Sequence, residues 1–134
     1  MADWTVARAM VRHPKLCSAT TTVGEVRRMF ADDHVHAVPI TAGRRLISLI
    51  DRDDVGQDVP DELLAAPLGR LSGRVVSPDA AADVILEQMI RSGRRRLAVV
   101  DDTGSLLGLL CLKRKRTGFC SDEDVLARRN DPRT

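Results

Sequence analysis

The sequence predicts an α/β (α+β) fold built from two β-α-β-β-α type repeats, packed sheet to sheet with pseudo-two-fold symmetry. Three observations predict it. Residues 35–55 read VHAVPITAGRRLISLIDRDDV, in which two short β-branched runs, 35–40 and 46–50, flank a Gly-bearing turn at 41–45. That is the pattern of a hairpin. The same pattern returns about 59 residues later, as RLAVV, DDTGS and a second apolar run over 106–112, and an internal repeat of this length is evidence at the level of the fold. A helix-like segment precedes each copy, at 23–31 and at 82–91. Neither half alone is large enough to bury its apolar faces, and packing the halves together removes the difficulty. The expected division is 1–59 for the first repeat, 60–119 for the second and 120–134 for a short C-terminal helix and tail.

Taken in order, residues 2–12 carry apolar side chains at Trp4, Val6, Ala7, Met10 and Val11, a spacing that suits one or two helical turns. His13-Pro14 ends them, because the residue before proline avoids the helical region. Residues 15–18 are a short strand. Thr22 with Glu25 three residues on is a capping box, opening a helix over 23–32 with Val23, Val26 and Phe30 on one face. After the first hairpin, residues 56–67 form a connector whose 61–66 portion reads as one or two helical turns. Val75-Val76 is the second short strand and Ser77-Pro78-Asp79 the second helix start. Val84, Ile85, Met89 and Ile90 form the apolar face of that helix, and Gly93 closes it. Ser121 with Asp124 caps a last helix over 122–129.

Composition narrows the function classes. The chain has 134 residues, 43% hydrophobic and 30% charged, with a formal net charge of +2. No global field therefore recruits nucleic acid or membrane. Trp4, Phe30 and Phe119 are the only aromatics, so base stacking on aromatic platforms has little to work with. Three irregularly spaced cysteines, Cys17, Cys111 and Cys120, suit reduced thiols better than disulfides or zinc. His13, His34 and His36 lack metal-ligand spacing with them. Nothing reads as an export signal or a membrane span, so the expected location is cytoplasmic. The basic run at 113–116 has the composition of a nucleic-acid patch, although short runs of this kind ordinarily line a solvated rim.

The chain resembles a tandem pair of cystathionine-β-synthase (CBS) domains, a Bateman module. The matching pieces are Val6-x-x-x-Met10, Thr22-Val23, Val38-Pro39-Ile40 and residues 46–55 in the first half. In the second half they are Ser77-Pro78-Asp79, Leu97-Ala98-Val99-Val100-Asp101 and Leu107-Gly108-Leu109-Leu110. The resemblance implies a regulatory, non-catalytic module that binds AMP, ADP, ATP or S-adenosylmethionine between its repeats. It also implies assembly as a homodimer and signalling to a protein partner that the sequence does not name.

The family's ligand motif is a small residue, two apolar residues, Thr or Ser, two variable residues and Asp. Here it aligns first as Ser48-Leu49-Ile50-Asp51-Arg52-Asp53-Asp54. The resemblance puts Asp54 at the ribose-binding position and Asp51 where a hydroxyl should meet a phosphate. A carboxylate there has no proton to donate at neutral pH and repels phosphate. The second copy aligns as Gly108-Leu109-Leu110-Cys111-Leu112-Lys113-Arg114, in which Arg114 has only donors and loses the paired ribose contact. Basic residues ahead of the second strand of each repeat, His36, Arg95 and Arg96, match phosphate-binding positions. Cys17, Val38, Pro39, Val76 and Leu97 match positions that line the ligand. Asp54 equally suits a helix cap, Asp51 and Asp53 solvated loop charges, and Cys17 a small core residue. Two outcomes follow: one adenosine-type ligand held by Asp54 with Arg95 or Arg96 on its phosphate, or a degenerate pair that dimerises or binds protein without nucleotide.

Overall fold

A computed structural model describes residues 4–122. The elements run α1 (Val6–Ala9), β1 (Cys17–Ser18), α2 (Val23–Phe30), β2 (Ala37–Ala42), β3 (Arg45–Asp51), β4 (Val75–Val76), α3 (Ala82–Ser92), β5 (Arg96–Val100) and β6 (Leu106–Cys111). Single 3-10 turns occupy Arg52–Asp54 and Ala66–Leu68. Two three-stranded sheets have the same topology, β1-β2-β3 and β4-β5-β6, with the short strand parallel to its neighbour and the hairpin antiparallel. Even the irregularity is duplicated. Each hairpin slips register near its tip, between Ile40 and Thr41 and between Val99 and Val100. The extra residue falls at Ile47 and at Leu107, each 36% exposed, as a bulge that turns one side chain out of the pleat.

Because side chains alternate across a strand, each sheet feeds two cores. Val38, Ile40 and Ile50 join Val23 and Val26 beneath α2. Leu97, Val99 and Leu110 join Met89 beneath α3. Ala37, Leu46 and Leu49 of the first sheet meet Ala98, Leu109 and Cys111 of the second in a central cluster. The layers are therefore helix, sheet, sheet, helix.

The repeats also exchange their leading segments. Val11 pairs with Leu109 on β6, whereas Arg70 pairs with Leu49 on β3. Thr5 pairs with Ala81 at the start of α3, and Leu64 with Thr22 at the start of α2. The hairpin tips join through Leu46 N–H to Gly104 O (3.0 Å) and Leu106 N–H to Arg44 O (2.8 Å). Two glycines permit the exchange. A Cβ on Gly69 would meet Ser48 Oγ and lie 2.6 Å from Leu49 O, and one on Gly108 would meet Val11 O and lie 2.9 Å from Met10 Sδ.

The capping box forms as expected, with Glu25 N–H on Thr22 Oγ1 (3.3 Å) and Thr22 N–H on Glu25 Oε1 (3.4 Å). Gly93 is left-handed at the end of α3, with φ 75°. Two local expectations are corrected. The helical turn expected at 61–66 forms instead at Ala66–Leu68. The Asp61 and Leu63 carbonyls are taken by the Gly24 and Val23 amides (2.9 and 2.8 Å), which relieve the orphan donors of α2. The second long helix starts at Ala82, as the 82–91 segment predicts, but the start signal read at Ser77-Pro78-Asp79 does not cap it. Chain from the first repeat intervenes there, with Val6 N–H on Ala80 O (2.9 Å) and Ala82 N–H on Trp4 O (3.0 Å). The helix expected at 122–129 lies outside the described residues except for Asp122, whose Oδ1 accepts the Arg12 amide at 2.9 Å.

Candidate ligand cleft

The candidate site forms where β3 ends. Asp51 caps the 3-10 turn Arg52–Asp54, and Asp54 reciprocates by accepting the Asp51 amide on Oδ2 at 2.8 Å. Arg52 anchors this turn to α2. Its guanidinium lies 5.1 Å from the Phe30 ring centroid and donates to Phe30 O and Asp32 O, both at 2.7 Å. It thereby satisfies carbonyls at the helix C-terminus. Asp54 is thus the third residue of the turn and not its cap, so the capping alternative passes to Asp51.

Arg74, just before β4, reaches this turn from the second repeat. Its side chain is 4% exposed and that of Asp54 15%. Arg74 Nη1 lies 2.5 Å from Asp54 Oδ2 and Nη2 lies 3.0 Å from Oδ1, a two-pronged contact that engages both carboxylate oxygens. Nη1 also donates to Leu49 O at 2.7 Å. Nε stands 3.3 Å from Asp51 Oδ2, close enough for charge attraction but without hydrogen-bond alignment. Arg94 Nη1 donates to the same Asp51 oxygen at 2.8 Å. Asp51 is therefore shared by two arginines instead of being a solvated loop charge, while Asp53 is exposed as expected.

The electrostatics follow from these contacts. Burial pushes the Asp54 carboxyl up. That push is outweighed by the Arg74 hydrogen bonds, the Asp51 amide and the fields of Arg74 and Arg70, so Asp54 lies below the usual carboxylate range. Arg74 is held protonated chiefly by its Asp54 hydrogen bonds, against burial.

The other expected site residues are spread more widely. Arg95 Nε donates to Leu112 O at 3.2 Å. Arg96 is 5% exposed, and its guanidinium donates to the carbonyls of Arg95 (2.9 Å) and His34 (3.1 Å). These contacts tie β5 to the loop before β2, so the arginine of that run on the acidic turn is Arg94, not Arg95 or Arg96. Val38 and Pro39 are fully buried and Leu97 nearly so, with Val38 beneath α2 and Leu97 beneath α3. Strands covered on both faces leave such side chains inside the core. Cys17 is half-buried, with its thiol 3.3 Å from Met29 Sδ, and lines a hollow of about 420 Å³ with Lys15, Arg28 and Val35. Burial pushes that thiol up, away from reactive thiolate character. Val76 lines a separate hollow of about 510 Å³ with Val100 and Asp101. His36 is half-buried just ahead of β2, and Arg114 sits on the exposed turn after β6.

Besides Arg94, sequence reasoning missed Arg74. It lies in RLSGRVV, where nothing local separates it from the exposed Arg70. The available signal was duplication: Lys15 precedes the first short strand much as Arg74 precedes the second, and Arg114 stands where the first copy has Asp54. One copy of the motif thus has opposite charges at these two positions and the other has like charges. Among the described residues, no group of three or more His, Cys, Asp or Glu side chains is placed to hold a metal ion. No helix among them is long and apolar enough to cross a membrane.

Comparison with known proteins places this geometry. The CBS domain family matches residues 6–56 and 74–114. A curated relative, inosine-5'-monophosphate dehydrogenase from Korarchaeum cryptofilum, is 26% identical over 104 residues. The match covers 78% of this chain but only 22% of that enzyme. Among solved structures, the CBS domains of a transcriptional regulator from Streptococcus pneumoniae superpose with a TM-score of 0.68 at 16% identity, over 93% of this chain and 98% of that one. CBSX2 in complex with AMP gives 0.68 at 17%, over 96% and 99%. The cytosolic domain of the Mg2+ channel MgtE in complex with ATP gives 0.67 at 17%, over 94% and 49%. With more than half of its length matched in two segments that coincide with its two sheets and their helices, the chain belongs to the CBS domain family and carries a pair of such repeats.

Proposed function

We propose that the chain is a regulatory, non-catalytic module that binds an adenosine-containing ligand of the AMP, ADP or ATP type between its repeats and passes that state to a protein partner. The observation that carries this reading is the charge cluster shared by the repeats. Asp51 and Asp54 come from the first repeat and Arg74 and Arg94 from the second. A carboxylate suits the vicinal hydroxyls of a ribose, and guanidinium suits a phosphate. A nucleotide would exchange one internal ion pair for these two contacts, and the exchange would alter how the repeats hold each other. The AMP and ATP complexes of the structural relatives named above support the ligand class. Titration calorimetry and thermal shift of the full chain with AMP, ADP, ATP and S-adenosylmethionine test it. A ligand at 100 times its Kd should stabilise the fold by about 2.7 kcal/mol, and Asp54→Ala should remove the response. No response to any of them, in protein shown by mass spectrometry to be free of small molecules, would refute it.

The second reading is a homodimerising or protein-binding module without nucleotide. It is favoured by the engagement of both Asp54 oxygens by Arg74 and by Arg114 at the acceptor position of the second motif. Light scattering alongside the same ligand screen separates the two: this reading requires a stable dimer whose mass and melting temperature ignore every nucleotide.

A further inference from the structure

We infer that the hollow between α1, α3 and the turn after β6 binds single-stranded nucleic acid, with a base stacked on Trp4 and phosphates held by Arg8, Arg12 and the cations at 113–116. This site shares no residue with the acidic turn after β3. The chain has only three aromatic residues, and the fold brings two of them together here. Trp4 and Phe119 meet with ring centroids 5.8 Å apart and planes at 56°, yet Trp4 stays 42% exposed. Both line a hollow of about 600 Å³, together with Leu86 of α3 and with Arg8 and Arg12. A half-open indole in such a recess offers its face to a base, and every base has a face to stack.

The rim of that recess is strongly basic. Lys113-Arg114-Lys115-Arg116 occupy the turn that leads into Phe119, closed by Lys113 N–H on Gly118 O (2.9 Å) and Arg116 N–H on Lys113 O (2.8 Å). All four are exposed, as are Arg8 and Arg12. None of these six cations forms an ion pair with another described residue. Asp122, the acid in the lining, is engaged by the Arg12 amide at 2.9 Å. The basic run alone reads as a solvated rim; the aromatic pair beside it is what gives it a partner. Cations by themselves suit any polyanion. The open indole narrows the choice, because a duplex keeps its bases paired and stacked inside, and a run of carboxylates presents no flat ring.

The test uses the full chain with oligothymidine of about twelve nucleotides, followed by anisotropy of a fluorescein label and, with unlabelled strand, by the emission of Trp4, the single tryptophan. Binding should quench Trp4. With about four phosphates neutralised at a slope of about −0.7 each, affinity should fall about 50-fold between about 50 and 200 mM salt. Trp4→Ala should weaken single-strand binding about fivefold or more and leave the salt slope unchanged. Arg114→Gln combined with Lys115→Gln, both on the exposed turn, should reduce the slope by about 1.4 and keep the quenching. That double variant serves if circular dichroism shows that Trp4→Ala does not fold. A duplex of the same length should bind about fivefold more weakly or worse and leave Trp4 emission unchanged. Equal affinity for the duplex, or no quenching of Trp4, would overturn the inference. So would full displacement by polyglutamate at equal charge, which would make the partner an acidic protein segment. Absence of binding at about 50 mM salt would overturn it too, and would leave the adenosine reading standing.

Discussion

Replacing Asp54 by Asn tests the inter-repeat ion pair while conserving side-chain volume. The variant keeps an acceptor for Arg74 but removes its charge, and Arg74 is 4% exposed. Breaking a buried pair by removing one partner costs about 3–5 kcal/mol. Two features lower the figure here. The Asp54 side chain retains 15% exposure, and Asp51 stays 3.3 Å from Arg74 Nε. The expected loss is therefore about 2–4 kcal/mol. Urea unfolding followed by circular dichroism and by Trp4 fluorescence measures it, with an unchanged m-value showing that the native state stays compact. Asp61→Asn provides the internal contrast. Its partner Arg27 is 31% exposed and Asp61 68%, so that pair should contribute no more than about 1 kcal/mol. If Asp54→Asn also cost under about 1 kcal/mol, Arg74 would be no strut between the repeats, and the argument from burial would be wrong.

Acid should erase the same difference. Because Asp54 titrates below the usual carboxylate range in the folded chain, its stabilisation is fully present above the unfolded carboxylate value of about 3.9 and is lost as pH falls through the folded one. The stability gap between wild type and Asp54→Asn should thus be constant near neutrality and shrink only below about pH 4, whereas a gap that shrank between pH 8 and 6 would refute the assignment. Gly69→Ala and Gly108→Ala should each destabilise by about 1–3 kcal/mol in chemical unfolding, because the new Cβ meets backbone carbonyl oxygen that cannot rotate away. Neutral outcomes at both would contradict the exchanged packing of the leading segments. Thr22→Ala should cost about 1 kcal/mol through loss of the capping box. Met89→Ala, at a residue 1% exposed beneath α3, should cost about 2–5 kcal/mol, and a smaller loss would mean that this core collapses around the gap.

What the sequence by itself determined is the duplicated architecture. Hairpins, helices, the Thr22–Glu25 box and the Gly93 cap are written in local periodicity and turn chemistry, whose partners lie within a few residues. The recurrence of the hairpin pattern in the second half made the pseudo-symmetry readable before any coordinate. Tertiary structure alone decided which repeat each segment serves. Residues 61–66 look helical in isolation, yet their carbonyls go to α2, and Ser77-Pro78-Asp79 looks like a helix start, yet chain near Trp4 takes that place. The same holds for the candidate site. Of three consecutive arginines the resemblance singled out Arg95 and Arg96, yet packing sends Arg94 to a carboxylate and the other two to backbone carbonyls. Arg74 and Asp54 are 20 residues apart and carry no shared pattern, because an ion pair between repeats depends on how two sheets face each other, and periodicity along one chain does not encode that.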